Sequence, residues 1–278
     1  MSINVNSPLR SALRCGIAVP GLLGAMALIG ALALGCGTDD GPTGPASDAG
    51  AGTADGSAGG DGVYLATIRG SLAASLDDSR AFHNMIVAAG RDPENGNFSH
   101  QVLLPVPAAT GGPGGGDILV LERWNNFDNM MRTYGDPGFQ MAFAHFFGAP
   151  PTITVLQLAE GYTEVMLPAP AGVDTRFTFV VGGTLSADVG ASRTVHNDMV
   201  ASTAELARTS GYLTHEAFLG PAMSGDPRQF LGIDSFATLE GAMSYFGSPT
   251  FQAGIATFFT GPPESSVWTP APAEWATW

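Results

Sequence analysis

Apolar and polar residues follow two different periods along the chain, and the two periods alternate in a fixed order. Four runs rich in β-branched and apolar residues predict strands, at 63–72, 98–106, 117–124 and 152–160. Residues 77–93 begin with acidic residues, carry apolar side chains at helical spacing and end at Gly-Arg-Asp-Pro, which predicts a helix. A second helix is predicted over 127–147, with an interruption at Asp136-Pro137.

This pattern occurs twice. RAFHNMIVA at 80–88 returns as RTVHNDMVA at 193–201, and YGDPGFQ at 134–140 returns as FGSPTFQ at 246–252. The offsets of 113 and 112 residues match one small domain and are too long for a solenoid repeat. The sequence therefore predicts a tandem duplication of one domain.

Each copy has the order strand, helix, strand, strand, helix, strand, which is ferredoxin-like. The first module spans 63–163, the second module spans 176–278, and a linker is predicted at 164–175. The helices of such a module cover one face of its sheet and leave the other bare. Two modules can pack these bare faces together, so we predict an α+β fold with two βαββαβ modules fused into a single-chain pseudo-dimeric α+β barrel, monomeric as a whole.

Short motifs carry a family resemblance. Glu-Arg-Trp at 122–124 precedes Asp-Pro-Gly-Phe at 136–139, and Asp-Ser-Phe at 234–236 precedes Ser-Pro-Thr-Phe at 248–251. This pattern resembles the dimeric α+β barrel superfamily, particularly its antibiotic-biosynthesis-monooxygenase-like domains. The resemblance implies the barrel fold and an activity such as cofactor-independent oxygenation of aromatic compounds or isomerisation, so no cofactor is expected.

The resemblance also extends to haem-degrading enzymes of similar architecture. Their ligand histidine lies four residues beyond the Phe of the Pro-containing motif, where this chain has Phe143 and Ile255. His145 stands two residues further on, so the resemblance does not imply haem ligation here.

The N-terminal residues predict a location outside the cytoplasm. Residues 1–14 carry two arginines and no acid, residues 15–35 are uncharged and apolar, and Cys36 follows. This order resembles a lipoprotein signal peptide over 1–35 with lipidation at Cys36, although an uncleaved membrane anchor would have the same apolar length. Residues 36–62 lack large apolar side chains and are predicted to form a disordered tether. The expected location is the bacterial cell envelope, on the periplasmic or outer-membrane side.

Charge and cysteine content exclude several functions. Without the signal the chain has 9 arginines, no lysine and 25 acidic residues, a net charge of about −16. Nucleic acids and anionic membrane surfaces both need clustered positive charge, so no nucleic-acid partner is expected and membrane contact is expected through the lipid only. The absence of lysine excludes Schiff-base chemistry, and the folded modules contain no cysteine for thiol catalysis.

The candidate chemistry lies in polar residues present in both copies. If each hairpin turns at its centre, His100 is opposite Glu122, and His215 is opposite Asp234. A further histidine lies on the first helix of each copy, at His83 and His196 in the two modules.

Three interpretations stay open for these residues. They form a buried hydrogen-bonded network, or an acid–base site in which the carboxylate orients the imidazole, or a two-histidine, one-carboxylate metal site at His83, His100 and Glu122. The equivalent metal set in the second module would be His196, His215 and Asp234.

Aromatic residues complete the prediction. Trp124 shares a strand face with Glu122 and serves either as core or as a stacking wall for a flat ligand. Trp124 and Tyr134 are both replaced by Phe in the second module, so the first module is the better candidate for catalysis. Trp275 and Trp278 are expected near one end of the barrel, and the sequence does not place them more closely.

The functional hypothesis is a lipid-anchored extracytoplasmic protein that binds a small, flat apolar or aromatic molecule, as a cofactor-independent monooxygenase or isomerase. The predicted catalytic residues are His83, His100, Glu122, Trp124 and Tyr134, with His196, His215 and Asp234 as second-copy equivalents. The first alternative is a non-catalytic ligand-binding or structural surface lipoprotein, and the second is a metal-binding protein. Whether the protein is an enzyme stays open at this point.

Overall fold

The computed structural model describes residues 62–106, 116–169, 176–220 and 226–278. The predicted signal peptide, Cys36 and all but the last residue of the predicted tether lie outside the described residues. Within these four ranges, no helix is long and apolar enough to cross a membrane.

The described elements follow the predicted order in both modules. In the first module they are β1 (Tyr64–Ser71), α1 (Leu76–Gly90), a 3-10 turn (Pro93–Asn95), β2 (Asn97–Pro105), β3 (Asp117–Trp124), α2 (Phe127–Gly135), α3 (Pro137–Phe146) and β4 (Thr152–Leu158). In the second module they are β6 (Phe177–Thr184), α4 (Val189–Thr209), β7 (Tyr212–Leu219), β8 (Gln229–Phe236), α5 (Leu239–Phe246), α6 (Pro249–Phe258) and β9 (Glu264–Pro270). A short strand, β5 (Val165–Met166), lies between them in sequence.

Eight of the described strands form a closed antiparallel barrel. The first module contributes the order β4-β1-β3-β2, and the second contributes β9-β6-β8-β7. The ring closes where β2 pairs with β9, at Leu104 and Thr269, and where β4 pairs with β7, at Leu158 and Phe218. The β2–β9 contact comprises three residue pairs and the β4–β7 contact comprises two, so the two halves of the barrel are joined over part of the strand length.

The barrel interior is filled by large apolar side chains from both modules. Leu65, Leu121, Phe218 and Trp268 are fully buried there and belong to one apolar cluster. Side chains alternate between the two faces of a strand, so Arg123 points away from the face that carries Glu122 and Trp124. Arg123 instead forms an ion pair with Glu216 of the second module, which joins the two modules inside the barrel wall.

The proline motif has a structural explanation. Asp136 ends α2 and begins α3, where its side chain accepts a hydrogen bond from the backbone N–H of Phe139 at 2.9 Å. Pro137 occupies the first turn of α3, a position where its missing N–H leaves no partner unsatisfied. Ser248 caps α6 in the same way, with the N–H of Phe251 at 3.3 Å. The motif therefore breaks the predicted second helix into two and turns Phe139 towards the sheet side.

Candidate functional site

The first-module relay consists of His83, His100 and Glu122, which lie in series between α1 and the sheet. Nε2 of His83 is 3.0 Å from Nε2 of His100, and Nδ1 of His100 is 2.8 Å from Oε1 of Glu122. His100 and Glu122 are direct partners across β2 and β3, as the hairpin lengths predict. The second carboxylate oxygen of Glu122 accepts hydrogen bonds from Nε1 of Trp124, at 3.3 Å, and from the hydroxyl of Tyr134. The structure therefore brings all five candidate residues of the first module into one network.

The second-module relay consists of His196, His215 and Asp234 and has the same geometry. The two Nε2 atoms are 2.8 Å apart, and Nδ1 of His215 is 2.7 Å from Oδ1 of Asp234. The hydroxyl of Tyr212, on β7, donates to Asp234. The prediction that only the first module keeps extra hydrogen-bonding groups around its carboxylate was wrong, because Tyr212 approaches from the sheet where Tyr134 approaches from a helix.

Burial determines the electrostatics of both relays. Desolvation by burial lowers the pKa of His83 and of His196 from 6.5 to about 4, so both imidazoles are neutral at pH 7. Burial alone would raise the pKa of Glu122, but the hydrogen bond and charge of His100 lower it below 4.5, with Tyr134 contributing in the same direction. Burial raises the pKa of Tyr134 well above 10, which keeps its hydroxyl a donor to Glu122.

This arrangement contradicts the metal-site interpretation. Glu122 binds Nδ1 of His100, whereas His83 binds Nε2 on the other side of the same ring. Three ligands of one metal ion must direct their donor atoms at a common point. Because His100 contacts Glu122 and His83 through opposite ring nitrogens, the three side chains lie in a row and do not face one point. Among the described residues, no group of three His, Cys, Asp or Glu side chains could hold a metal ion.

Residues from the second module complete the first-module site. The amide of Asn84 donates to the carbonyl of Glu274 at 2.7 Å and accepts from the N–H of Ala276 at 2.8 Å. The ring of Trp275 lies 5.1 Å from that of His83. The strand pairing explains this, because β9 runs along β2 and delivers the following residues to the first module.

Trp278 covers the outer side of the same site. Its ring stacks on His100, with centroids 4.7 Å apart and planes at 17°. The two residues also exchange backbone hydrogen bonds of 2.8 and 3.1 Å. The guanidinium carbon of Arg91 lies over the ring of Trp278, 4.7 Å from its centroid. Trp275 and Trp278 are therefore part of the site, which composition and periodicity did not reveal.

The segment after β4 has the matching role on the second module. The amide of Asn197 donates to the carbonyl of Gly161 at 3.0 Å and accepts from the N–H of Thr163 at 2.8 Å. Tyr162 packs on His196 with ring centroids 4.9 Å apart. The first residues of the predicted linker, 164–175, include the short strand β5, in which Val165 pairs with His215.

The two sites differ in free space. Two neighbouring cavities of about 80 and 60 Å³ adjoin the first-module relay, whereas one of about 30 Å³ adjoins the second-module relay. The larger one is lined by Asn97 and Trp278, and both Oδ1 of Asn97 and Nε1 of Trp278 are buried without a hydrogen-bond partner among the described residues. Tyr212 occupies the position of Asn97 in the second module and lines the smaller cavity.

His145, the remaining histidine, lies apart from both relays. It is exposed on α3, and its ring packs against Phe82 with centroids 4.5 Å apart.

No family model matches the chain, and no curated protein matches it. Among solved structures, an anthrone oxidase-like protein covers 79% of this chain and 93% of its own length, with a TM-score of 0.56 and 14% identity. A Fusobacterium nucleatum protein named as a candidate monooxygenase covers 75% of this chain and 92% of its own, with a TM-score of 0.53 and 5% identity. At these identities the likeness establishes the fold, the dimeric α+β barrel.

Proposed function

We propose that the first module binds a small, flat, mostly apolar molecule beside its relay and exchanges a proton with it, as a monooxygenase or isomerase that uses no organic cofactor. The observation that carries this proposal is the larger first-module cavity, whose lining includes two buried polar atoms without a hydrogen-bond partner among the described residues. A buried polar atom without a partner costs free energy, and native proteins keep few of them. Asn97 and Trp278 offer one free acceptor and one free donor to a bound molecule in the same cavity.

The walls of the two cavities fit such a ligand. The smaller first-module cavity is lined by Ile68, Val120 and the rings of Phe139, Phe143 and Phe146, so it favours an apolar, planar body. His100 and Glu122 line both cavities, which places the relay next to any molecule that spans them. A histidine held by a carboxylate is a common acid–base group, and its contribution to a rate is typically 10²–10⁴-fold.

The names of the fold neighbours agree with this reaction class. One is anthrone oxidase-like and the other is named as a candidate monooxygenase. Because fold does not decide function, these names support the proposal only together with the cavity.

We further propose the chain's origin and setting. The two modules arose by duplication and act as an internal dimer, and the chain is monomeric. The lipid on Cys36 holds it in the bacterial cell envelope, on the periplasmic or outer-membrane side, with membrane contact through the lipid only and no nucleic-acid partner.

The alternative is a lipoprotein that binds a ligand, or supports a surface structure, without turnover. One feature favours it: both ring nitrogens of His83 and of His100 already have partners, and Trp278 covers the site. Binding without reaction would then be the whole function.

Two measurements separate these functions. Binding of 4-fluorophenol to the full chain is followed by ¹⁹F NMR, and dioxygen uptake is followed with anthrone as the substrate. His100→Gln is the relay variant and His215→Gln is its matched control in the second module. The enzyme proposal expects binding, and uptake that His100→Gln abolishes and His215→Gln leaves unchanged. Binding without uptake contradicts the monooxygenase and supports the non-catalytic binder, and no binding of either compound contradicts a ligand site in the first module and leaves the structural role.

A further inference from the structure

The side-chain amide of Asn84 has only one orientation that satisfies its neighbours. A backbone carbonyl can only accept a hydrogen bond and a backbone N–H can only donate one. Nδ2 of Asn84 must therefore face the carbonyl of Glu274, and Oδ1 must face the N–H of Ala276. The orientation is fixed by the chemistry of the two backbone groups.

This orientation determines the tautomer of His83. Nδ1 of His83 is 3.1 Å from Oδ1 of Asn84, an atom that can only accept. A hydrogen bond at this contact requires a proton on Nδ1. Because His83 is neutral, its Nε2 then carries no proton and accepts.

The same reasoning continues to the end of the relay. Nε2 of His83 lies 3.0 Å from Nε2 of His100, so the proton in that contact must belong to His100. Nδ1 of His100 shares a second proton with Glu122. The three relay side chains therefore carry a net charge of zero, whichever of these two residues holds the second proton. Two neutral imidazoles and an ionised carboxylate would carry a charge of −1, so the relay holds one proton more than that state.

We infer that Asn84 is a positioning residue that sets the direction of every hydrogen bond in the first-module relay. It thereby holds the relay in the state of zero net charge, with the additional proton. The residues that fix Asn84 come from the second module, so each module sets the proton content of the other. Asn197 has the same role for the second-module relay through Gly161 and Thr163 of the first module. This inference goes beyond the proposed function and does not depend on a ligand.

Long-range ¹H–¹⁵N NMR of the full chain labelled with ¹⁵N-histidine tests the inference directly, because protonated and unprotonated ring nitrogens have well-separated shifts. The chain has five histidines, and His145→Gln assigns the exposed one. In the unsubstituted chain we expect a proton on Nδ1 but not on Nε2 of His83, and a proton on Nε2 of His100. A bare Nδ1 on His83 would overturn the inference without any variant.

Two substitutions separate positioning from simple packing. Asn84→Ala removes the acceptor, so the proton of His83 should move to Nε2 and His100 should lose the proton on its Nε2. Asn84→Asp keeps the acceptor but loses the donor to Glu274, so Nδ1 of His83 should stay protonated. Asn197→Ala is the matched control, which should change only His196 and His215. Ring-nitrogen shifts that are the same in Asn84→Ala as in the unsubstituted chain would also overturn the inference, and if that variant does not fold, the unsubstituted chain and Asn84→Asp still decide.

Discussion

Asn97 and Tyr212 occupy equivalent positions in the two modules, each paired with the aromatic residue two places after the relay carboxylate, Trp124 in one case and Phe236 in the other. The strand register is irregular just after both residues. Asn97 leaves a cavity and an unpaired oxygen, whereas the larger Tyr212 donates to Asp234. One residue position therefore accounts for much of the difference between an open site and a filled one.

Asn97→Tyr should close the first-module cavity. The phenol ring would occupy the space of about 80 Å³ beside His100, so binding of 4-fluorophenol should fall at least tenfold. The melting temperature should not fall, because the variant removes a buried unpaired oxygen. ¹⁹F NMR titration and thermal unfolding check both parts, with Tyr212→Phe as the control that leaves binding unchanged. Unchanged binding in Asn97→Tyr would place the ligand elsewhere.

Glu122→Gln should destabilise the fold by roughly 3–5 kcal/mol, because removing one partner of a buried ion pair leaves the other uncompensated. Asp234→Asn should have a similar effect, since His215 is buried in the same way. Urea unfolding measures both. Asp77→Asn, which disrupts an exposed pair with Arg80, should cost less than about 1 kcal/mol. A loss no greater in Glu122→Gln than in Asp77→Asn would contradict the charged network.

Acidification should destabilise the fold between pH 6.5 and about 4. In the folded chain the pKa of His83 and of His196 is about 4, against an ordinary value of 6.5, so in this window the unfolded chain binds more protons. Each histidine then contributes a loss of roughly 3 kcal/mol across the window. The lowered pKa of Glu122 adds a further loss below pH 4.5.

Urea unfolding at several pH values from 7 to 4 measures this slope. The double variant His83→Gln, His196→Gln should have a clearly smaller slope than the unsubstituted chain. Equal slopes would assign the acid sensitivity to other groups.

Arg123→Leu should destabilise the barrel by about 3 kcal/mol, because Glu216 would keep its charge without its partner. Glu216→Leu should have a larger effect, because it leaves the charge of Arg123, the more buried of the two, without its partner. In the double variant, an apolar pair should recover part of the loss, and a double-mutant cycle in urea measures the coupling. Strict additivity of the two single effects would show that the ion pair does not join the modules energetically.

Much of this fold follows from local sequence. The hairpin lengths alone place His100 opposite Glu122 and His215 opposite Asp234, because strand pairing has a period of two and a turn fixes the register. The helix break at Asp136 is equally local, since a capping residue and a proline stand side by side.

The covers of the two sites were not predictable in this way. Trp278 reaches His100 only because β9 pairs with β2, and Tyr162 reaches His196 only because β4 pairs with β7. Contacts between elements so far apart in the chain have no local periodicity. The one available signal was that Asn84 and Asn197 follow the helical histidines in both modules, and nothing local explains these asparagines beyond the repeat itself.

Each relay is covered by residues of the other module, so the order of synthesis determines the order in which the two relays can be covered. The residues that cover the second-module relay, around Tyr162, leave the ribosome before any residue of the second module leaves it. The residues that cover the first-module relay, around Trp275, leave it after β9. Because domains fold from the N-terminus as they emerge, the second module can complete its relay as it emerges, whereas the first module must wait with His83 uncovered until the second is nearly complete.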